Sequence, residues 1–267
     1  MHKLIDCITF YDENFLVNSR FEILKDVIDF FVVCESKFDH KGFYKGVNFH
    51  LKNKNYSHKV KHIILEDNFP APYNGWKNEE YQREKLMLEV KNFHNEDYIF
   101  FSDSDEIPNP EILKKFSLKK KYGIFLQKCF VYKLNLFNKY ETPWEGTRVC
   151  KKKNLKSFTY LRKKIKSKNL KQPFWKLNID KDIEIFNNGG WHFNNLYTVE
   201  KISKKLKTSP HQEFSGEKYS SEENIHKKLN NFQDLYNRGH TYQKIDIDKS
   251  YPEYFLNNTS KIKDYIL

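Results

Sequence analysis

Two aspartates one residue apart, Asp103 and Asp105, close an apolar run that begins at Tyr98, and a third acid, Glu106, follows before Pro108. Carboxylates delivered by a buried strand are costly to desolvate unless a cation compensates them. Hard oxygen ligands of this kind suit Mg²⁺ or Mn²⁺. Side chains alternate along an extended backbone, so Asp103 and Asp105 are expected on one side. An ion between them would stay open to a ligand's phosphate oxygens. Asp-x-Asp alone is more often a solvated turn. The strand-forming residues 98–101 argue instead that a core strand delivers these acids.

The elements that must position this segment are legible upstream of it. Residues 3–10 read as a strand, 14–28 as a helix, and 29–34 as a strand buried on both faces. Residues 36–58 form a polar loop, 60–65 a third strand, 79–93 a helix and 98–102 the strand that carries the acids. Residues 122–132 and the stretch around Val149 read as antiparallel additions, and 200–267 as largely helical. Strand and helix alternate, which predicts an α/β fold with a mostly parallel sheet flanked by helices. Ligands in such sheets bind beyond the carboxyl ends of the strands. Glu35-Ser36 and Asp103-Ser104-Asp105 both stand at such ends, so one shared site is expected.

Composition bounds the rest. The 267 residues, with 23 Phe and 17 Tyr, suffice for one well-filled domain. The net charge of +12 favours an acidic partner: phosphorylated small molecules, an anionic membrane or nucleic acid. Zinc-finger spacing and RNA-recognition signatures are absent, which argues against nucleic acid. Residues 151–171 hold ten Lys or Arg, read as a solvated face or as a loop meeting an anionic ligand or membrane surface. Cys7, Cys34, Cys129 and Cys150 lie far apart and read as buried small hydrophobes in a reducing compartment. The first residues are too polar for a signal peptide, and no 18-residue apolar stretch exists. A cytoplasmic protein without a membrane span is therefore expected.

Other residues have chemistry to offer. His192 follows Gly189-Gly190-Trp191, where the glycines permit close backbone approach. The Trp can stack on a sugar face, and the His can reach a metal or a phosphate. A core aromatic beside a surface His is the plainer reading of that pair. Arg83 can hold a phosphate or the site's acids through bidentate bonds, or pair with Glu79 four residues earlier on a helix.

An ordered set of motifs resembles glycosyltransferase family 17. It comprises residues 5–10 (Ile-Asp-Cys-Ile-Thr-Phe) with Glu13 and Arg20, the run 27–36 ending in Cys34-Glu35-Ser36, and Trp76, Glu79 and Gln82-Arg83. It continues with Ser102-Asp103-Ser104-Asp105-Glu106-Ile107-Pro108, Gly190-Trp191-His192, and Lys205-Leu206 with Ser209, His211 and Glu213. Together these span residues 4–215. The loop Lys37-Phe38-Asp39-His40-Lys41-Gly42 departs from the family pattern, so no role is carried over to it.

The resemblance implies a GT-A type fold, a nucleotide-sugar donor, inversion at the anomeric carbon and a glycan acceptor. It implies a catalytic domain over residues 1–215, with 216–267 a helical extension packed on it. It favours Asp103, Asp105 and His192 as ligands of Mn²⁺ or Mg²⁺, with His211 a weaker candidate of the same kind. Thr9, Glu35, Arg83, Asp103 and Trp191 are the residues expected against a UDP-sugar, and N-acetylglucosamine is the sugar implied. Inversion needs a general base, for which Glu213 and Glu145 are the candidates. A metal-dependent nucleotidyltransferase or phosphohydrolase, or a basic nucleic-acid-binding module, would use parts of the same pattern.

Overall fold

The apolar runs become strands because each has core on both sides. A computed structural model describes residues 2–71, 74–208 and 212–267; the motif residues Ser209 and His211 lie outside the described residues. The first strands are β1 (Leu4–Phe10), β2 (Phe30–Ser36), β3 (Val60–Leu65) and β4 (Tyr98–Asp103), all parallel in the order β3-β2-β1-β4. Alternate residues enter two separate cores. Ile5, Cys7, Val32, Cys34, Ile99 and Phe101 face one, and Leu4, Ile8, Phe31, Val33, Tyr98 and Phe100 face the other.

Helices cover both faces. Helix α1 (Asn14–Leu24) seals the second core with Val17, Phe21 and Leu24. Helices α2 (Gly75–Glu84) and α3 (Met87–Val90) lie toward the first core, which receives Leu86 and Val90. The helix expected over 14–28 ends at Leu24. The helix expected over 79–93 starts earlier, capped by Asn74, whose side chain accepts from the Lys77 amide, and is broken after Glu84.

Beyond β4 come β5 (Glu106–Pro108), α4 (Pro110–Leu113), β6 (Tyr122–Val131), β7 (Leu136–Phe137) and β8 (Trp144–Lys151). The chain continues through α5 (Phe158–Lys164), β9 (Ile183–Phe186), β10 (Gly190–Asn194) and α6 (Val199–Thr208). Strand β8 runs antiparallel to both β4 and β6, as expected of this region. Strands β9 and β10 lie parallel to β6, so the additions are mixed rather than all antiparallel. The architecture is thus α/β, with a parallel centre and a mixed flank.

The carboxyl-terminal region is less helical than expected. It holds α7 (Glu217–Ser220), α8 (Glu222–Asn230), β11 (Gln243–Lys244), α9 (Glu253–Leu256) and α10 (Thr259–Ile262), with loops between. Positive φ at Phe232, Asn237 and Gly239 interrupts helix between α8 and β11. Tyr251, Phe255 and Ile262 bury against Leu16, Phe130 and Phe193, so this segment shares a core with the strands. The cysteines are free and buried. Among the described residues no helix is long and apolar enough to cross a membrane.

Candidate active site

Strand β4 ends at Asp103, and Asp105 already lies in the turn toward β5. The extended backbone therefore stops two residues short of Asp105, and the two carboxylates find different partners. Asp103 pairs with the Arg162 guanidinium. Asp105 faces His192, with Oδ1 and Nε2 3.6 Å apart. Both acids still line one cavity of about 720 Å³, beside Thr9, Arg83, Trp144 and His192. In the parallel registers Thr9 lies level with Asp103 and Cys34, which puts the cavity at the carboxyl ends of β1, β2 and β4.

A buried arginine holds the turn from behind. Arg20, fully buried on α1, donates Nε and Nη2 to the two oxygens of Asp6, each at 2.6 Å. The same guanidinium donates to Ser102 Oγ at 3.0 Å and to the Glu106 carbonyl. A bidentate pair with its remaining donors satisfied is the arrangement in which a buried ion pair is tolerated. Glu106 is fully buried and accepts from Trp144 Nε1 at 2.7 Å, from Arg162 and from the Asp103 amide. The third acid of the motif therefore organises the turn, with both carboxylate oxygens occupied.

His192 reaches the cavity because β10 is wedged between β5 and β6, opposite Glu106. Gly190 makes this possible. Its φ is +130°, and a Cβ there would stand 2.0 Å from the Ile107 carbonyl oxygen. Trp144 stacks on the His192 ring with centroids 4.7 Å apart. Burial opposes charge on Asp105, but His192, Lys205 and Arg162 outweigh it and hold the carboxyl at about 2. Burial likewise opposes charge on His192, yet Asp105 and Cys129 raise its pKa well above the ordinary histidine value.

Several expected residues are not brought to the cavity. Trp191 points to the opposite side of β10 from His192, is 6% exposed, and donates Nε1 to the Ser250 carbonyl. It packs into the carboxyl-terminal core, and the tryptophans that line the cavity are Trp76 and Trp144. Glu35 is buried beneath the loop that follows β2. Its carboxylate accepts from Lys45 Nζ at 2.8 Å, the amides of Asn48 and Phe49, and His62. It anchors that loop, which in turn lends His40 to the cavity wall. Glu145 is engaged by Arg148 and by the amide and hydroxyl of Ser167. Glu213 is exposed on the turn Gln212–Phe214, directly after the segment outside the described residues.

Arg83 satisfies one of its two readings and leaves room for the other. Its Nη2 pairs with Glu79, while buried Nε and Nη1 have no hydrogen-bond partner among the described residues. Its neighbour Gln82 donates to the carbonyls of Phe10 and Cys34, tying α2 to two strand ends.

Lys205 of the carboxyl-terminal motif lines the cavity, joined by Arg162, Lys166 and Trp144, which no sequence motif singled out. Arg162 is the one arginine in an otherwise lysine run. Phe158, Leu161 and Ile165 at helical spacing around it turn one face of α5 into the core. That apolar periodicity was the available signal, and it corrects the first of the two readings of residues 151–171, the solvated face, for the part that forms α5.

Among the described residues no three His, Cys, Asp or Glu side chains are gathered as a ready cation site. Asp103, Asp105 and His192 nevertheless line one cavity, and two carboxylates with one imidazole are donors that suit Mn²⁺. The donor chemistry thus fits, with each group now paired inside the protein.

Fold and cavity define an α/β protein with a charged pocket at the carboxyl edge of its parallel strands. The sequence profile of glycosyltransferase family 17 matches residues 1–250, and the chain belongs to that family of glycosyltransferases. It is 34% identical over 117 residues to the β-1,4-mannosyl-glycoprotein 4-β-N-acetylglucosaminyltransferase of Rattus norvegicus, covering 40% of this chain and 22% of that protein. The Homo sapiens counterpart matches to the same extent. The matched part thus spans about a fifth of the length of these curated relatives.

Solved structures overlap only loosely. Glucosyl-3-phosphoglycerate synthase from Mycobacterium tuberculosis, in complex with Mg²⁺ and uridine diphosphate, is 11% identical, with a TM-score of 0.35 over 76% of this chain and 74% of that one. The inositol-1-phosphate CTP transferase from T. maritima is 16% identical, with a TM-score of 0.36 over 73% and 90%. At these scores neither overlap carries an argument about this chain.

Proposed function

We propose that this chain transfers a sugar, N-acetylglucosamine from its UDP ester, to a hydroxyl of a glycan acceptor with inversion at the anomeric carbon. Family membership supports the reaction class, and the names of the relatives support the sugar. The observation that carries the proposal is the cavity itself. Asp103, Asp105 and His192 stand with Arg83, Arg162 and Lys166 around one space at the carboxyl edge of the sheet.

An anionic diphosphate suits that wall. Arg83 has two nitrogens, Nε and Nη1, without a hydrogen-bond partner among the described residues, and Arg162 is held between Asp103 and Glu106. Preorganised cations aimed at a leaving group stabilise the charge that grows on it as the glycosidic bond breaks. Mn²⁺ or Mg²⁺ held by Asp103, Asp105 and His192 would add Lewis-acid neutralisation of the same charge. Trp144, fixed by its bond to Glu106, offers a ring edge and face to a sugar.

The acceptor hydroxyl oxygen forms its bond to the anomeric carbon while the bond to the diphosphate oxygen breaks, and one base takes the hydroxyl proton. Glu213 is the base this reading carries over from the family motif, although the described residues do not put it on the cavity wall. In sequence it follows Thr208, which lines the cavity, by five residues.

The test is a panel of sugar nucleotides and nucleoside triphosphates, scored for release of nucleoside diphosphate or pyrophosphate. Slow donor hydrolysis restricted to UDP-sugars, fastest with UDP-N-acetylglucosamine, is the expected result. Pyrophosphate release from a nucleoside triphosphate would overturn the assignment in favour of nucleotidyl transfer.

A further inference from the structure

We propose that the turn over residues 172–178 is a membrane-docking tip that seats Phe174, Trp175 and Leu177 in the interfacial layer of an anionic lipid bilayer. These side chains are 82%, 67% and 90% exposed. Exposure this high in three large apolar side chains so close together marks a projecting tip. Large apolar groups are rarely displayed together in this way without a partner.

The tip is built, not frayed. Lys176 N donates to the Pro173 carbonyl at 3.1 Å, and Leu177 N to the Trp175 carbonyl at 2.9 Å. Lys181 Nζ donates to the Lys176 carbonyl at 2.7 Å, closing the turn from the far side. The Phe174 and Trp175 rings meet edge to face at 5.2 Å. The base is clamped by buried Asn169, which donates to the carbonyls of Lys164 and Asp180. Asp180 is fixed in turn by Tyr160 and Lys156.

Charge selects the partner. Lys168, Lys171, Lys176 and Lys181 lie in the tip or flank it along the chain, against Asp180 and Asp182, which pair with Lys156 and Lys120. Anionic headgroups attract such lysines near the surface. An aromatic tip flanked by lysines can seat in the interface while its ammonium groups remain among the headgroups. A bilayer accepts a convex apolar tip without a shaped pocket, which a protein partner would have to supply.

The experiment is vesicle co-sedimentation of the full chain, compared with the triple substitution Phe174→Ser, Trp175→Ser and Leu177→Ser. Vesicles are phosphatidylcholine alone, or phosphatidylcholine with about a third phosphatidylserine. The wild type is expected to sediment with the anionic vesicles only. The triple variant should partition about tenfold more weakly, with an unchanged thermal midpoint. Equal partitioning of the two proteins, or no binding to anionic vesicles, would overturn the proposal. So would a wild-type dimer dissolved by the same substitutions without vesicle binding, since that assigns the tip to a second copy. The readout does not pass through sugar transfer and stands or falls independently of it.

Discussion

Lys166 makes a sharp residue-scale test of the cavity's electrostatics. Burial, with Arg148 and Arg162 beside it, pushes its pKa down to about 8. Below that value the side chain is cationic and attracts an anionic ligand, and above it the attraction is lost. Affinity for free UDP, measured by calorimetry, should therefore fall about threefold to tenfold between about pH 7 and pH 9. Lys166→Met should bind weakly at both values and flatten the profile. An unaltered profile in that variant would remove Lys166 from the ligand's surroundings. At this scale the sequence was legible where chemistry is carried by a motif: Asp103, Asp105, Thr9, Arg83 and His192 share one cavity. It misled where a side chain's direction depends on a neighbour. Trp191 and His192 are adjacent on a strand, so only one of them can face the cavity. Glu35 and Glu145 are drawn into hydrogen bonds with residues of loops whose paths no local pattern announces.

The elements that present these side chains were read well where they are continuous apolar runs. Strand β3 has the bounds expected of it, and β1, β2 and β4 differ by a residue or two at their ends. Less was legible where pairing is non-local. Strand β10 gives little sign in its own residues of lying between β5 and β6, yet that position aims His192 at Asp105. The glycines before it were a partial clue, and the structure supplies the reason for Gly190. Gly190→Ala would combine a strained φ with a collision against the Ile107 carbonyl, and should cost about 3 kcal/mol or more in chemical denaturation. Gly216→Ala, where a Cβ meets nothing within 4 Å, should stay within about 0.5 kcal/mol of wild type. Equal stability of the two variants would contradict the packing described for β10.

At the scale of the whole molecule, a parallel centre ties the early motifs together, while a mixed flank and the carboxyl-terminal segment complete the wall and the core. The net charge of +12 announced an anionic partner without saying where it would be met. The cavity accounts for Arg83, Arg162, Lys163, Lys166 and Lys205. Most of the lysines lie elsewhere on the surface. The central claim is that the cavity holds a sugar nucleotide by its diphosphate, with a divalent cation at Asp103 and Asp105. Calorimetric titration of UDP-N-acetylglucosamine into the wild type and Asp105→Asn, each with and without Mn²⁺, tests it most directly. Binding by the wild type that strengthens at least about tenfold with Mn²⁺, and loss of that strengthening in Asp105→Asn, is the predicted result. Wild-type affinity indifferent to Mn²⁺, or Asp105→Asn responding to the metal as the wild type does, would contradict it.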